Sequence, residues 1–87
     1  MRREPDYFQD QELELIYIAR KLDEALELEQ LLTTAEVDYL VEVDTYSGGV
    51  LFRNARAGAF FYVQPADRAH AVERMKSQRW RPYEPGE

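Results

Sequence analysis

The chain has no cysteine and only one histidine among its 87 residues. Without cysteine it can form no disulfide, no thiolate nucleophile and no zinc–thiolate site, which suits a reducing compartment and predicts a cytoplasmic protein. The single histidine, His70, excludes a multi-histidine metal site. No hydrophobic run approaches the roughly 18 apolar residues of a membrane span. The basic start of the chain is followed by no apolar stretch, so we expect neither a membrane anchor nor a signal peptide.

Apolar residues make up 45% of the chain and aromatic residues 13%, which is enough for a folded core and argues against disorder. The length predicts one domain. We expect residues 1–11 to be a flexible segment, residues 12–80 to form a single α+β domain, and residues 81–87 to form an extended tail. The prolines of the tail prevent a helix there.

The net charge of −6 is unevenly distributed. Residues 4–44 hold thirteen acids and two bases, whereas residues 45–81 hold two acids and seven bases. Two interpretations follow: an acidic first helix pairs with a basic second helix inside one molecule, or copies of the chain associate through opposite charges. Exposed ion pairs contribute little stability each, so the pattern orients elements more than it stabilises them.

Short hydrophobic runs predict strands at residues 13–19, 37–44 and 59–63. The first is apolar on both faces, which is typical of a covered strand, and the second alternates as an edge strand does. Apolar residues at helical spacing predict helices over 23–35 and from 65 to about 80.

Details of these elements are also predicted. Strict alternation places Tyr17 on one face of the first strand and Ile16 on the other. The stripe of the first helix comprises Leu22, Ala25, Leu26 and Leu32, widened by Leu28, Leu31 and Ala35. Residues 50–53 are a candidate extra strand, and residues 54–58 a candidate turn.

The order of elements predicts a ferredoxin-like α+β sandwich, βαββα, that lacks the final strand of that fold. Three strands, or four with residues 50–53, would be mainly antiparallel. Right-handed crossovers place both helices on one face. The second strand is then an outer edge, and the first strand leaves its other edge open. An open apolar edge promotes aggregation unless it is covered, so we expect either the tail, anchored by Trp80 and Tyr83, or a second subunit to cover it.

The sheet face away from the helices is the candidate interface. With the residues of the open edge, it comprises Tyr17, Leu40, Phe60, Tyr62, Trp80 and Tyr83. An exposed aromatic patch usually marks a contact surface, and a homodimer interface is our first interpretation. Core packing with the two faces reversed and a small-molecule site, formed where two subunits meet, are the alternatives.

Three stretches carry a family resemblance: YIARKLDEALELEQLL at 17–32, VDY at 37–39, and FYVQPAD at 61–67. Their apolar spacing resembles the small prokaryotic signal-transducing domains of unknown function, which are grouped with the PII-like fold of nitrogen regulation. The resemblance implies a bacterial signalling module. The family commonly has glycine after the first helix, where this chain has Glu36. We therefore expect that helix end to be strained or closed differently.

The stretch after the second strand is the candidate partner or ligand loop, because in PII-like proteins a loop at this place reaches partners. It spans residues 45–57, and its candidate contact residues are Tyr46, Ser47, Gly48, Gly49, Arg53 and Arg56. Backbone N–H groups around the two glycines could hold an anion. No helix or lysine follows at phosphate-loop spacing, so a plain turn is the simpler interpretation.

A second class of function is single-stranded nucleic-acid binding. Ile16-Tyr17-Ile18 and residues 56–62 loosely resemble the two RNA-contact motifs of RRM domains, whose aromatics stack on bases. The acidic chain and the missing fourth strand argue against it, since phosphate contacts require Lys and Arg.

We expect no enzyme, cofactor or metal site, because no catalytic constellation is visible. Asp38, Glu42 and Asp44 share one strand face and are interpreted as solvated acids rather than cation ligands. His70 is interpreted as a surface residue.

Overall fold

Five main elements follow one another in the predicted order of strand, helix, strand, strand and helix. The computed structural model describes residues 1–9, 11–47 and 55–83, with residues 44–47 and 55–57 described by their backbone. The elements are β1 (Glu14–Ala19), α1 (Leu22–Thr34), β2 (Tyr39–Ser47), β3 (Ala55–Val63) and α2 (Pro65–Ser77), preceded by a short 3₁₀ helix at Pro5–Phe8. Neither α-helix in this part of the chain is long and apolar enough to cross a bilayer.

The three strands form one antiparallel sheet in the order β1–β3–β2. The main core lies between one face of this sheet and both helices, and it contains Ile16, Tyr39, Phe61, Leu28 and Met75. The prediction of a ferredoxin-like α+β fold without its last strand is therefore confirmed, and β2 is an outer strand as its alternation indicates.

The hairpin of β2 and β3 is longer than predicted. Its pairing continues to Ser47 and Ala55, so the predicted turn at 54–58 is wrong where β3 runs through it. Gly58 pairs with Asp44 in this ladder, and pairing with a neighbouring strand overrides the weak strand propensity of an Arg–Ala–Gly sequence. The candidate strand at 50–53 lies outside the described residues.

An irregularity in β1 changes which side chains face the helices. Its pairing with β3 shifts between Leu15 and Tyr17, so Leu15 is opposite Tyr62 whereas Tyr17 is opposite the fully buried Phe61. Strict alternation between Ile16 and Tyr17 was therefore the wrong prediction. A bulge lets two consecutive residues share one face of a strand, and both contribute to packing on the helix side.

The buried face of α1 is also rotated from the predicted stripe. It consists of Ala25, Leu28, Leu31 and Leu32. Leu22 and Leu26 are 76% and 56% exposed, and they lie roughly 120° and 160° around the helix from Leu28 at 3.6 residues per turn. The prediction that Leu22 and Leu26 belong to the buried stripe was wrong, because seven apolar residues cover more of the helix surface than the sheet can bury.

Both helices end in the same way, with a non-glycine residue in the left-handed conformation. Glu36 has φ of 60° after α1, and Arg79 has φ of 68° after α2. The next residues, Val37 and Trp80, donate their N–H groups to the carbonyl oxygens of Leu32 and Met75. This is the Schellman motif, usually closed by glycine. Of the two predictions for Glu36, the strained ending is the one the backbone shows.

Candidate functional site

The sheet face opposite the helices carries two rows of side chains across the strands. One row is Leu15, Tyr62 and Leu40, and the other is Ile18, Phe60 and Glu42. Ile18 and Phe60 are half-buried and Glu42 is exposed. Leu40, Phe60 and Tyr62 therefore share the face on which the sequence placed them.

The N-terminal segment contacts part of this face. Asp38, the residue just before β2, accepts hydrogen bonds from Arg3 Nε at 2.9 Å and from the Tyr7 hydroxyl at 3.2 Å. Phe8 of the 3₁₀ helix is buried but does not belong to the main core. Of the two aromatic residues in this segment, Phe8 is therefore the buried one, whereas Tyr7 is exposed.

The start of β2 is also paired along its outer edge. The Arg3 N–H donates to the Tyr39 carbonyl oxygen at 2.8 Å, and the Tyr39 N–H donates to the Met1 carbonyl oxygen at 3.0 Å. The terminal ammonium group donates to the Val37 carbonyl oxygen. These bonds use backbone groups that an edge strand otherwise leaves unpaired.

The C-terminal tail contacts the open edge of β1. The Tyr83 N–H donates to the Ile16 carbonyl oxygen, with an N···O distance of 2.6 Å. The Tyr83 carbonyl oxygen accepts a hydrogen bond from a guanidinium nitrogen of Arg68 at 3.5 Å. Arg68 in turn forms an ion pair with Glu14 at 3.1 Å. One of the two predicted covers, the tail, therefore contacts this edge through Tyr83.

Tyr17 and Trp80 form an aromatic pair on the helix side of the sheet. Their ring centroids lie 5.1 Å apart with an interplanar angle of 79°. Tyr17 is therefore separated from Phe60 and Tyr62, with which the sequence grouped it. This placement also removes the β1 aromatic from the sheet face on which an RRM domain would stack bases.

Tyr17 and Trp80 line a cleft of about 540 Å³ between the start of α1 and the end of α2. Its other lining residues are polar or charged: Lys21, Asp23, Glu24, Glu27, Gln78, Arg79 and Arg81. A second hollow of about 310 Å³ shares Glu27, Gln78 and Trp80 with the first. The two form one groove between the helices, within the size range of small-molecule sites.

Glu24 is held at the Tyr17 side of the cleft. Its carboxylate accepts a hydrogen bond from the Arg20 backbone N–H at 3.2 Å, and it lies close enough to Tyr17 to affect the pKa of the phenol. Burial raises the pKa of Tyr17, and the nearby Glu24 carboxylate raises it further. The phenol is therefore a hydrogen-bond donor throughout the physiological pH range.

A partly buried polar contact joins β2 to α1. The Tyr39 ring stacks near Phe61 at a centroid distance of 5.9 Å, and its hydroxyl donates to Glu29 Oε1 at 3.1 Å. Arg2 lies 3.9 Å from the same carboxylate oxygen. This contact satisfies the only polar atom of a buried tyrosine side chain.

The remaining predicted positions are not brought together. Glu42 is exposed, and no three acidic or histidine side chains converge as metal ligands within the described ranges. His70 is exposed as predicted, with Nε2 3.2 Å from the Ala35 carbonyl oxygen, a hydrogen bond that requires the proton on Nε2.

Only part of the candidate loop can be placed. Tyr46, Ser47 and Arg56 are paired backbone positions of β2 and β3. Gly48, Gly49 and Arg53 lie outside the described residues.

The cleft was missed by sequence reasoning, although two of its residues, Tyr17 and Trp80, were singled out. The available signal was the acidic start of α1 and the arginines after α2, which the charge distribution already separated. Nothing in the sequence indicated that β1 turns Tyr17 towards them.

Comparison of this chain with models of protein families, with curated proteins and with solved structures gives no match. The resemblance to prokaryotic signal-transducing domains therefore stays a prediction.

Proposed function

We propose that this chain is a non-catalytic regulatory binding module that acts as a homodimer through the open face of its sheet. The observation that supports this is the pair of rows crossing that face, in which Ile18 lies opposite Phe60 and Leu15 opposite Tyr62, all four half-buried and outside the main core. A symmetric dimer would place this apolar surface of one copy against that of another.

The tail and the N-terminal segment favour the face over the edges as the contact surface, and since the N-terminal segment contacts the face beside Leu40, the proposed contact lies on the part formed by β1 and β3. Tyr83 already pairs with β1 and Arg3 with the start of β2. A stable dimer buries about 800 Å² of each partner, an area that a sheet face supplies more readily than a partly paired strand edge.

The resemblance to signal-transducing domains supports the rest of the proposal. The module works in the bacterial cytoplasm, and the hairpin of β2 and β3 presents residues 45–57 to a protein partner. The PII-like analogy supports this role of the loop. The acidic net charge of −6 supports a protein partner over nucleic acid.

Sedimentation velocity over a range of concentrations tests the dimer. We expect wild type to associate and Ile18→Glu to remain monomeric, since a carboxylate cannot be buried unpaired at an apolar contact. Leu26→Glu is the matched control, because Leu26 is exposed on the outer side of α1, and it should associate like wild type. A wild-type chain that stays monomeric at high concentration would refute the proposal.

A further inference from the structure

The groove between the helices has walls of opposite charge. The α1 wall carries the carboxylates of Asp23, Glu24 and Glu27, and the opposite wall carries the guanidinium groups of Arg79 and Arg81. The adjoining hollow continues this arrangement, with Glu27 facing the side of Arg74. Lys21 is the exception, a base at the α1 end.

These opposite charges do not neutralise each other directly. Among the described residues, no ion pair within 4 Å joins Arg74, Arg79 or Arg81 to a carboxylate of α1. These arginines therefore do not form the ion pairs between α1 and the basic end of α2 that one interpretation of the charge pattern predicted. The cleft between the two walls therefore leaves room for a ligand with a positive group beside the carboxylates and a negative group beside the arginines.

Part of this site is held in place before any ligand arrives. Glu24 accepts a hydrogen bond from the Arg20 backbone N–H, and Tyr17 is packed against Trp80. The backbone N–H of Trp80 donates to the Met75 carbonyl oxygen at the end of α2, and this bond positions Trp80. Groups that need no reordering on binding contribute more of their interaction energy to affinity.

We propose that this groove binds a small zwitterion of the α-amino-acid type. The ammonium group lies at Glu24 and Glu27, the carboxylate at Arg79 and Arg81, and the side chain packs on Trp80. Arginine suits the carboxylate because its guanidinium can bind it in a bidentate manner. A ligand with one charge satisfies one wall and leaves the other wall unpaired, whereas a zwitterion satisfies both.

The chain offers a reporter inside the site, since Trp80 is its only tryptophan. We would titrate each standard L-amino acid at millimolar concentration against Trp80 fluorescence, with the indole N–H resonance as a second readout. For every amino acid that binds, the matching amine without its carboxylate and the matching acid without its amine are titrated too. We expect saturable binding of at least one zwitterion, and at least tenfold weaker binding of both analogues.

Variants locate the binding. Arg79→Gly removes one guanidinium but suits the left-handed backbone at that position, so loss of binding cannot be blamed on misfolding. We expect it and Glu24→Gln each to weaken binding about tenfold or more, and Glu73→Gln, an exposed acid on α2 outside the groove, to bind like wild type. No response to any amino acid, or equal binding of the singly charged analogues, would overturn this inference. The dimer proposal would be unaffected, because it concerns the opposite face of the sheet.

Discussion

The ring of Tyr17 packs edge-on against the indole of Trp80, joining the middle of β1 to the segment just after α2. We expect Trp80→Leu to lower the free energy of unfolding by about 2 kcal/mol, since it loses both buried area and an aromatic pair. Trp80→Phe keeps an aromatic ring and should lose less than half as much. Urea denaturation followed by circular dichroism measures both. Equal losses would mean that the ring contact contributes nothing.

The left-handed residue at the end of α1 is a site for stabilisation. Glu36→Gly should raise the free energy of unfolding by up to about 1 kcal/mol, because glycine adopts φ of 60° without the steric cost of a Cβ atom. Ala35→Gly is the matched control, one residue earlier at φ of −78°, and should be destabilising. Thermal and urea unfolding compare the two, and a Glu36→Gly variant less stable than wild type would contradict the expectation.

The pairing of the tail with β1 can be removed through one N–H group. Tyr83→Pro deletes the donor to the Ile16 carbonyl oxygen, which should cost about 1 kcal/mol and leave the strand edge open to association. Tyr83→Ala keeps the N–H group and isolates the effect of the side chain. Light scattering during storage should show the proline variant aggregating faster. Identical behaviour of the two variants would show that the backbone bond does not protect the edge.

The N-terminal segment depends on Asp38 for its attachment. Asp38→Asn weakens the hydrogen bonds from Arg3 and Tyr7. We expect faster hydrogen exchange of the backbone amides of residues 3–8, with a loss of about 0.5–1 kcal/mol because the pair is partly exposed. Glu42→Gln removes an exposed acid from the same sheet face and should leave exchange unchanged. Exchange that is the same in both variants would mean that Phe8 and the backbone hydrogen bonds to Tyr39 hold the segment without Asp38.

Stability should fall at alkaline pH because of Tyr39. Burial is the largest cause that raises its pKa above the ordinary value of 10.0, and Glu29 adds to it, whereas Thr33 and Arg2 act in the opposite direction. The unfolded phenol therefore ionises first. The stabilisation is fully present below pH 10 and is lost as the pH rises through the higher pKa of the folded protein.

Tyr39→Phe tests this assignment, since it cannot ionise. Its free energy of unfolding should depend less on pH above 10 than that of wild type, although it loses the hydrogen bond to Glu29 at every pH. Tyr7→Phe, which alters an exposed tyrosine, is the control. If the alkaline loss is the same in Tyr39→Phe and wild type, other groups cause it.

The sequence by itself determined the order of elements and the edge position of β2, and it left the tail or a second subunit as the possible cover for the edge of β1. Each of these follows from local patterns: the alternation of residues 37–44 marks a half-covered strand, Pro65 suits the start of a helix, and the tail prolines exclude one. The apolar character of β1 then required a cover for its edge, and the contact of Tyr83 supplies part of it.

Only the tertiary structure decided which faces these elements present. A one-residue shift in the pairing of β1 moves Tyr17 from the open face to the helix side, because side-chain direction in a strand depends on register rather than on composition. The rotation of α1 exposes Leu22 and Leu26 in the same way. The groove beside Trp80 results from the register of β1 and the rotation of α1. Both are set by packing between segments far apart in the chain, which no local pattern encodes.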